Sequence, residues 1–587
     1  MEAKGNRIVG LRRLALILAG VCGLSGLILE YGTYPGAWVL RLAHGLSTAA
    51  VGLFLCEQFL GLRAAGSFRD YLRRRWPTFT LSCLLGLQAL ALLAGSRTEW
   101  LRRLLESLRL ESLTSAYLIV MQLYLVAVIL LELPHLHSRF AALRMRPAAG
   151  FIGVFMLVIV LGAGLLVLPR ATPVEQPIDF LDALFTATSA VCVTGLVVRD
   201  TGTGFTLFGQ TVIMILIQLG GLGIMSLTAA LGLLLGRGIG VRENSLLREV
   251  FQVPMMDEMG RIIRGIIVVT LSFEAMGAAV LYAGFSQGPP PPGPLLFTAV
   301  FHAVSAFCNA GFGTYPDNLM SFAENPLVMA PIATLIIVGG LGFGVAVQMA
   351  AWWRGRIQHR HGRAYRLGLH GQVVLTMTAI LLVVGCGLLA VFEWNGSLAD
   401  GTPGLRLAQA FFQSTTCRTA GFNSMDLRLL TPASVLVMIL LMYIGASPGS
   451  TGGGVKVTTV AIAWANLRSI AQGRSRVRLG KREIDPLDVQ RALLVLSTAL
   501  VVASVAIVIL LVTERSDLQT VAFEVFSGLG TVGLSLGLTP ALTPTGRVVL
   551  ILLMFIGRLG PLTLASSLTA PKHESHVRLP RGRILIG

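Results

Sequence analysis

The sequence predicts an all-α polytopic membrane protein with four pseudo-symmetric repeats, preceded by a block of about four helices. Each repeat is expected to hold an outer helix, a re-entrant pore helix with its loop, and an inner helix. Three observations carry this. Hydrophobic residues make up 54% of the 587 and charged residues 13%, against about 25% charged in soluble domains, and the mean hydropathy is +0.75. One phrase recurs four times at nearly constant spacing, each time between long apolar stretches: TATSAVCVTGL at 186–196, HAVSAFCNAGF at 302–312, FQSTTCRTAGF at 412–422 and EVFSGLGTVGL at 524–534. Finally, Lys and Arg gather in short segments between apolar runs, as the positive-inside rule expects.

The net charge of +18 invites a nucleic-acid reading, but its dispersal over these short segments argues for a membrane and against nucleic acid. The seven cysteines (22, 56, 83, 192, 308, 386, 417) lie within or beside apolar segments without CxxC or paired spacing. They are read as small residues in tight packing. Lys4, Arg7, Arg12 and Arg13 precede an apolar run with no A-x-A end, the pattern of a retained first span.

Residues 1–146 form the accessory block, with helices expected near 14–29, 37–61, 77–95 and 113–133. Residues 97–112 are amphipathic and mixed in sign, suiting an interfacial helix. No span carries arginine at every third position, so a voltage sensor is not expected. The repeats follow at 147–250, 251–368, 369–485 and 486–587. Their first spans are read near 148–168, 264–285, 372–392 and 492–513, and their second spans near 209–235, 327–350, 433–463 and 546–568. Basic segments follow each second span, from Arg237 to Arg248, Arg354 to Arg366, Arg468 to Arg482 and Lys572 to Arg583. These ends are therefore expected in the cytoplasm with both termini, and the glycine phrases outside. The same basic loops suit anionic lipid head groups.

Each phrase ends in a glycine followed by a large apolar residue: Gly195, Gly311, Gly421 and Gly533. A phenylalanine stands ten residues before each (Phe185, Phe301, Phe411, Phe523) and a hydroxyl six before (Ser189, Ser305, Thr415, Ser527). The segment ahead of the glycine is too short to span a bilayer. It fits a helix that stops half way, with its negative C-terminal end favouring a cation, followed by extended backbone. Such backbone survives at membrane depth only when it lines water or is buried in protein. Glycine frees the φ values that turn carbonyls to one side, and four such segments make rings of carbonyls. An ion pore is the expected outcome.

The second span of repeat three is broken. Gly445, Ala446, Ser447, Pro448, Gly449, Ser450, Thr451, Gly452, Gly453 and Gly454 disfavour a continuous helix, and their hydroxyls are costly against lipid. A loop in the pore just below the glycines satisfies both facts. The corresponding spans hold Gly220 to Gly223, Gly339 to Gly342 and FIGRLGPL at 555–562, and are expected to be less broken. Arg558, mid-span in repeat four, is placed near the loop carbonyls of 446–453. Lys456 is expected to face the inner vestibule. Arg418, inside the third phrase, is expected to brace the glycine segment against Glu524 or Asp426. Glu274 is expected to pair a basic or backbone group.

These motifs resemble the potassium-translocating subunits of the Trk/Ktr/HKT superfamily over roughly residues 147–587. VCVTGL, FCNAGF, RTAGFN and GTVGLS look most like its Ktr branch, of KtrB/TrkH type. The resemblance implies a potassium filter lined by backbone carbonyls of Val193, Thr194, Gly195, Asn309, Ala310, Gly311, Thr419, Ala420, Gly421, Thr531, Val532 and Gly533. It implies that the broken span is an intramembrane gate. It further implies a homodimer in a bacterial cytoplasmic membrane and a cytosolic nucleotide-binding regulatory ring of the TrkA/KtrA type. Glycine rather than serine at 195 favours potassium over sodium within that family. No P-loop or dinucleotide fingerprint occurs in this chain, so nucleotide control belongs to a partner, and potassium is substrate rather than cofactor. A sodium-permeable or sodium-coupled cation transporter is the first alternative. The second is a multi-span membrane enzyme, disfavoured because no HExxH or DxD cluster appears and the histidines lie mostly on loops. The third is a receptor or scaffold with a closed pore.

Overall fold

The computed structural model describes residues 147–223, 259–346, 348–349, 367–399 and 401–560, with scattered positions between 15 and 59. The other sequence expectations for the first block, for three of the basic segments and for the C-terminal tail lie outside the described residues. Described positions at 15–29 and 38–59 are mostly helical, within the first two expected helices.

The same three-helix sequence is written four times. Repeat one contains α1 (Pro147–Leu166), α2 (Phe180–Val191) and α3 (Leu207–Leu222). Repeat two contains α4 (Met259–Phe285), α5 (Leu295–Phe307) and α6 (Pro326–Leu341). Repeat three contains α7 (Leu369–Glu393), α8 (Pro403–Thr416), α9 (Pro432–Tyr443) and, after an irregular loop, α10 (Val457–Ala471). A short hairpin, β1 (Arg478–Leu479) with β2 (Arg482–Glu483), leads into repeat four with α11 (Pro486–Glu514), α12 (Leu518–Gly530) and α13 (Pro544–Leu559). The basic segment at 468–482 lies on the end of α10 and on this hairpin.

Among the described residues, three outer helices are long and apolar enough to cross a membrane: Gly265–Phe285, Leu369–Glu393 and Pro486–Glu514. Their faces are sorted as lipid requires. On α11 the small residues Ala499, Ala503 and Ala506, with Leu510, are buried at helical spacing, while Val501, Val505, Val508 and Val512 are exposed. Small residues let membrane helices approach closely. The second helices, α2, α5, α8 and α12, have 12 to 14 residues, or about 18–21 Å at 1.5 Å per residue. They reach only half way through a hydrocarbon core of about 30 Å.

Each repeat is closed by one device. The inner helix begins at a capping side chain: Thr206, Asn325, Thr431 and Thr543 accept from the backbone N–H of Gly209, Leu327, Ser434 and Gly546. Threonine and asparagine serve because their short oxygen reaches an orphan donor of the first turn. In three of the four, proline follows at the first helical position, where its missing N–H costs nothing. The capping residue also grips the outer helix. Thr206 donates to the Arg170 carbonyl at 2.5 Å, and Asn325 to the Gly284 carbonyl at 3.2 Å. In repeats three and four a carboxylate replaces the carbonyl. Glu393 accepts from Thr431 N and Oγ1 at 2.9 and 2.8 Å, and Glu514 from Thr543 N and Oγ1 at 2.8 and 2.6 Å.

The repeats close into a ring. The inner helix of each packs on the pore helix of the next: α3 on α5, α6 on α8, α9 on α12, and α13 back on α2. The last of these joints carries a half-buried ion pair, Arg547 with Asp182.

The clasps make a testable difference between carboxylates. Glu393→Ala and Glu514→Ala each remove a charged acceptor from the N–H and hydroxyl of the capping threonine, a loss of roughly 1.5–3 kcal/mol. Both variants are expected to unfold at lower temperature in detergent. Glu483→Ala, which removes only an exposed pair with Arg476, is expected to leave the midpoint unchanged.

Candidate functional site: a four-glycine ring and the loop beneath it

The pore helices run directly into the glycine segments. Cys192, Cys308 and Cys417 are fully buried at the C-terminal ends of α2, α5 and α8, as small packing residues; α12 ends in Gly530 instead. The segments then repeat one backbone conformation. Val193, Asn309, Thr419 and Thr531 have φ of 57°, 60°, 72° and 50°, and two residues on Gly195, Gly311, Gly421 and Gly533 have φ of 91°, 71°, 77° and 96°. Left-handed φ is uncommon outside glycine and a real outlier for β-branched Val193. Such strain persists only where the surroundings over-determine it, and here it occurs in register in every repeat.

The surroundings are the other repeats. A Cβ added to Gly195 would run into the Ala310 carbonyl, one on Gly311 would lie 2.6 Å from the Ala420 oxygen, one on Gly421 would meet the Val532 carbonyl, and one on Gly533 the Thr194 carbonyl. Each glycine thus abuts the residue before the next repeat's glycine, in the same cyclic order as the helix packing. The four segments form a closed ring in which backbone touches backbone.

Behind the ring, each segment is tied to its pore helix. Thr194 N, Ala310 N and Val532 N donate to the carbonyls of Ser189, Ser305 and Ser527 at 2.7–2.8 Å. Ser189 Oγ and Ser527 Oγ accept from the glycine N–H of Gly195 and Gly533, both at 3.1 Å. Repeat three uses a different residue. Thr416, not Thr415, accepts from Phe422 N at 2.8 Å and donates to Phe422 O at 2.9 Å. The buried ring there is Phe412, with Phe411 partly exposed, so the matched phenylalanine and hydroxyl positions of the sequence do not superpose in repeat three. Ser305 Oγ is buried without a partner.

The residue nine before each glycine differs by repeat: Thr186, His302, Phe412 and Glu524. Glu524 is buried and accepts from Ser535 Oγ and Thr539 Oγ1, fastening α12 to the chain beyond Gly533. This removes it as a partner for Arg418. Asp426 is also committed, to Arg428 at 2.8 Å. Arg418, just past the end of α8, instead reaches Thr378 Oγ1 on α7 at 3.4 Å. Glu274 meets a neutral amide, Gln218 Nε2 on α3, at 3.3 Å, rather than a basic or backbone group.

Below the ring lies the broken span. From Ile444 to Lys456 the chain makes a loop whose ends run side by side, with Gly445 N on Val455 O at 2.8 Å and Ala446 N on Gly453 O at 3.3 Å. A Cβ on Gly452 would strike Thr419 Oγ1 and one on Gly453 would strike Thr531 Oγ1, so the loop touches the ring's underside. The inner helices of the other repeats also stop at this level, at Gly223, Gly342 and Gly560 with φ of 74°, 88° and 80°. The expected spans to 235, 350 and 568 are therefore interrupted too. Those helix ends supply the loop's anchors. Thr451 N donates to Gly339 O, Ser447 N to Gly340 O, and Gly454 N to Gly557 O, at 3.1–3.3 Å. Arg558 donates to Thr451 O and to Gly220 O. Lys456 Nζ turns back onto Gly452 O at 2.9 Å and Gly453 O at 3.4 Å, rather than into the vestibule.

The sequence-predicted residues thus fall in two layers, the twelve ring positions above and residues 445–456 with Arg558 below. What the sequence reading missed is the set of inner-helix carbonyls at Gly220, Gly339 and Gly557. The signal was present: the three spans share G-x-L-G at 220–223, 339–342 and 557–560.

Comparison with known proteins follows from this geometry. The TrkH family model, described as a cation transport protein, matches residues 119–576. The chain is 38% identical over 441 residues to the Ktr system potassium uptake protein B of Bacillus subtilis, covering 74% of this chain and 95% of that one. It is 37% identical over 457 residues to the potassium/sodium uptake protein NtpJ of Enterococcus hirae, covering 76% and 98%. The crystal structure of the potassium transporter TrkH from Vibrio parahaemolyticus shares the fold, with a TM-score of 0.58 at 20% identity over 72% of this chain and 85% of that one.

The hydroxyls behind the ring are separable by mutation. Ser189→Ala and Ser527→Ala each orphan a buried glycine N–H, at about 1–3 kcal/mol, and are expected to lower the thermal midpoint. Ser305→Ala removes a hydroxyl that bonds nothing and is expected to match the parent. Equal effects at all three positions would contradict the hydrogen-bond assignment.

Proposed function

The chain belongs to the TrkH family of cation transport proteins, and from that premise we propose that it carries potassium into a bacterial cell through the four-glycine ring. The closed backbone ring is the observation that supports this most. Carbonyls of Val193, Thr194, Gly195, Asn309, Ala310, Gly311, Thr419, Ala420, Gly421, Thr531, Val532 and Gly533 replace the ion's water shell. They do so without a net charge that would hold it too tightly. Two of the relatives are named for potassium, and one of those for sodium as well. With a single glycine per quarter, sodium permeation is the second reading.

The loop at 445–454 acts as the gate. It lies directly under Thr419 and Thr531, and the two cations nearest to it, Lys456 and Arg558, are spent on its own and neighbouring carbonyls. A fixed positive charge beside a cation path is also a barrier. Opening requires the loop to leave the Gly339, Gly340 and Gly557 anchors and Arg558 to release Thr451. The protein works as a homodimer in the cytoplasmic membrane, with both termini and the basic hairpin at 478–483 on the cytosolic side. That face meets anionic lipids and a nucleotide-binding ring of the TrkA/KtrA type; the relatives named as parts of a Ktr system are the support for such a partner.

Two measurements test this. A potassium-uptake-deficient bacterium carrying the chain, with its regulatory partner supplied, is expected to grow at low external potassium. Gly311→Ser places a side chain against the Ala420 carbonyl and is expected to lose that growth while still reaching the membrane. Growth of both would remove the ring from the ion path. The second is excision of 447–453, which joins Ala446 to Gly454 beside the hydrogen-bonded pair Gly445 and Val455. It is expected to raise potassium flux with no change in the potassium-to-sodium ratio. Unchanged flux would refute the gate.

A further inference from the structure

We propose that Asn318, outside the ring, is a positioning residue that sets the potassium-to-sodium preference of the outermost carbonyl layer. The inference rests on the filter reading above and adds to it a residue that lies seven positions beyond the glycine. Asn318 Nδ2 donates to the carbonyl oxygen of Gly311 at 3.3 Å. The described residues give no such side-chain donor to the carbonyls of Gly195, Gly421 or Gly533, so one glycine carbonyl in four is held from outside.

The same amide is used at both ends. Asn318 Oδ1 accepts from Asn423 N of repeat three at 3.4 Å, and beside it Leu319 N donates to Asn423 O at 3.0 Å. Asn423 follows Gly421 by two residues. One side chain therefore locks the strand beyond Gly311 to the strand beyond Gly421, where those two glycines already touch. The same repeats are joined again by a hydrogen bond of 3.2 Å between the Asn309 side-chain amide and Thr419 Oγ1.

The local backbone explains the residue type. Asn318 has φ of +59°, a conformation that glycine and asparagine tolerate best. Glycine would satisfy the turn; only asparagine also supplies a donor for Gly311 O and an acceptor for Asn423 N. The effect on ions follows from carbonyl chemistry. A carbonyl engaged by an amide is weaker as an ion ligand and fixed in direction. Discrimination between two cations that differ in size depends on how firmly such ligands hold their place. A net hydrogen bond of about 0.5–1.5 kcal/mol corresponds to roughly a two- to tenfold change in relative affinity.

The test measures concentration-dependent potassium uptake, and its inhibition by sodium, in intact cells expressing the full chain with its partner. Asn318→Gly keeps the turn and deletes the amide. Asn318→Asp keeps the turn and the acceptor for Asn423 N but sets a carboxylate against Gly311 O. The glycine variant is expected to raise the apparent KM for potassium and to lower the potassium-to-sodium preference, each by roughly two- to tenfold, with maximal rate per inserted protein near the parent. The aspartate variant is expected to change the preference further. Because preference is a ratio, reduced membrane insertion does not mask it. A parent-like preference in both variants overturns the proposal, including when their maximal rates fall, since that marks a purely structural role. A parent chain with no preference for potassium refutes the potassium reading itself, before the variants are compared.

Discussion

The close approach of each ring glycine to the carbonyl of the next repeat governs the rest of the molecule. Four peptide segments can touch only if none carries a Cβ at the contact, and only if each is held from behind in a conformation that most residues avoid. The short pore helices supply that hold. They end half way through the membrane and give their last carbonyls to the returning strand. Ser189, Ser527 and Thr416 complete the tie from the side chain. The inner helices press each pore helix inward from the neighbouring repeat. Strain at Val193, Asn309, Thr419 and Thr531 is distributed over a ring, so loosening one quarter loosens the support of the next.

A second constraint is set by water's absence. Helices that stop at Gly223, Gly342 and Gly560 leave carbonyls without intrahelical partners at membrane depth, where an unsatisfied group costs several kcal/mol. The loop of repeat three meets that need. Its N–H groups and Arg558 take up carbonyls from the other three repeats. The loop is thus the hydrogen-bond complement of the surrounding helix ends.

Much of this was legible in the sequence. Hydropathy gave the membrane class, and the four phrases gave the number of repeats and the glycine register. The glycines and proline at 445–454 located the irregular span. Other features were hidden for physical reasons. Counting back from Gly421 cannot detect that α8 shifts its buried face by one residue, because Phe411 and Phe412 are both phenylalanine and Thr415 and Thr416 both threonine. Apolar character continues past Gly223 and Gly342, so hydropathy alone does not show where those helices stop. Glu393 and Glu514 read as ordinary loop-end charges until the capping threonines come beside them. Both acids expected beside Arg418 are committed elsewhere, Glu524 to Ser535 and Thr539 and Asp426 to Arg428, and the arginine reaches Thr378.

Departures from symmetry occur both beside the ring and around the loop. Nine residues before the glycine, Thr186, His302, Phe412 and Glu524 are all buried despite their different chemistry. At the second position of G-x-L-G, repeats one and two have glycine and repeat four has Arg558. A Cβ at Gly221 would collide with Cys308 Sγ, which bars a side chain in repeat one. Arg558 on α13 instead donates to both Thr451 O and Gly220 O. A single arginine can therefore span from the loop to repeat one while the other inner helices contribute only backbone. Pseudo-symmetry is kept in the left-handed φ and the glycine register of the four strands and relaxed where one loop must be held.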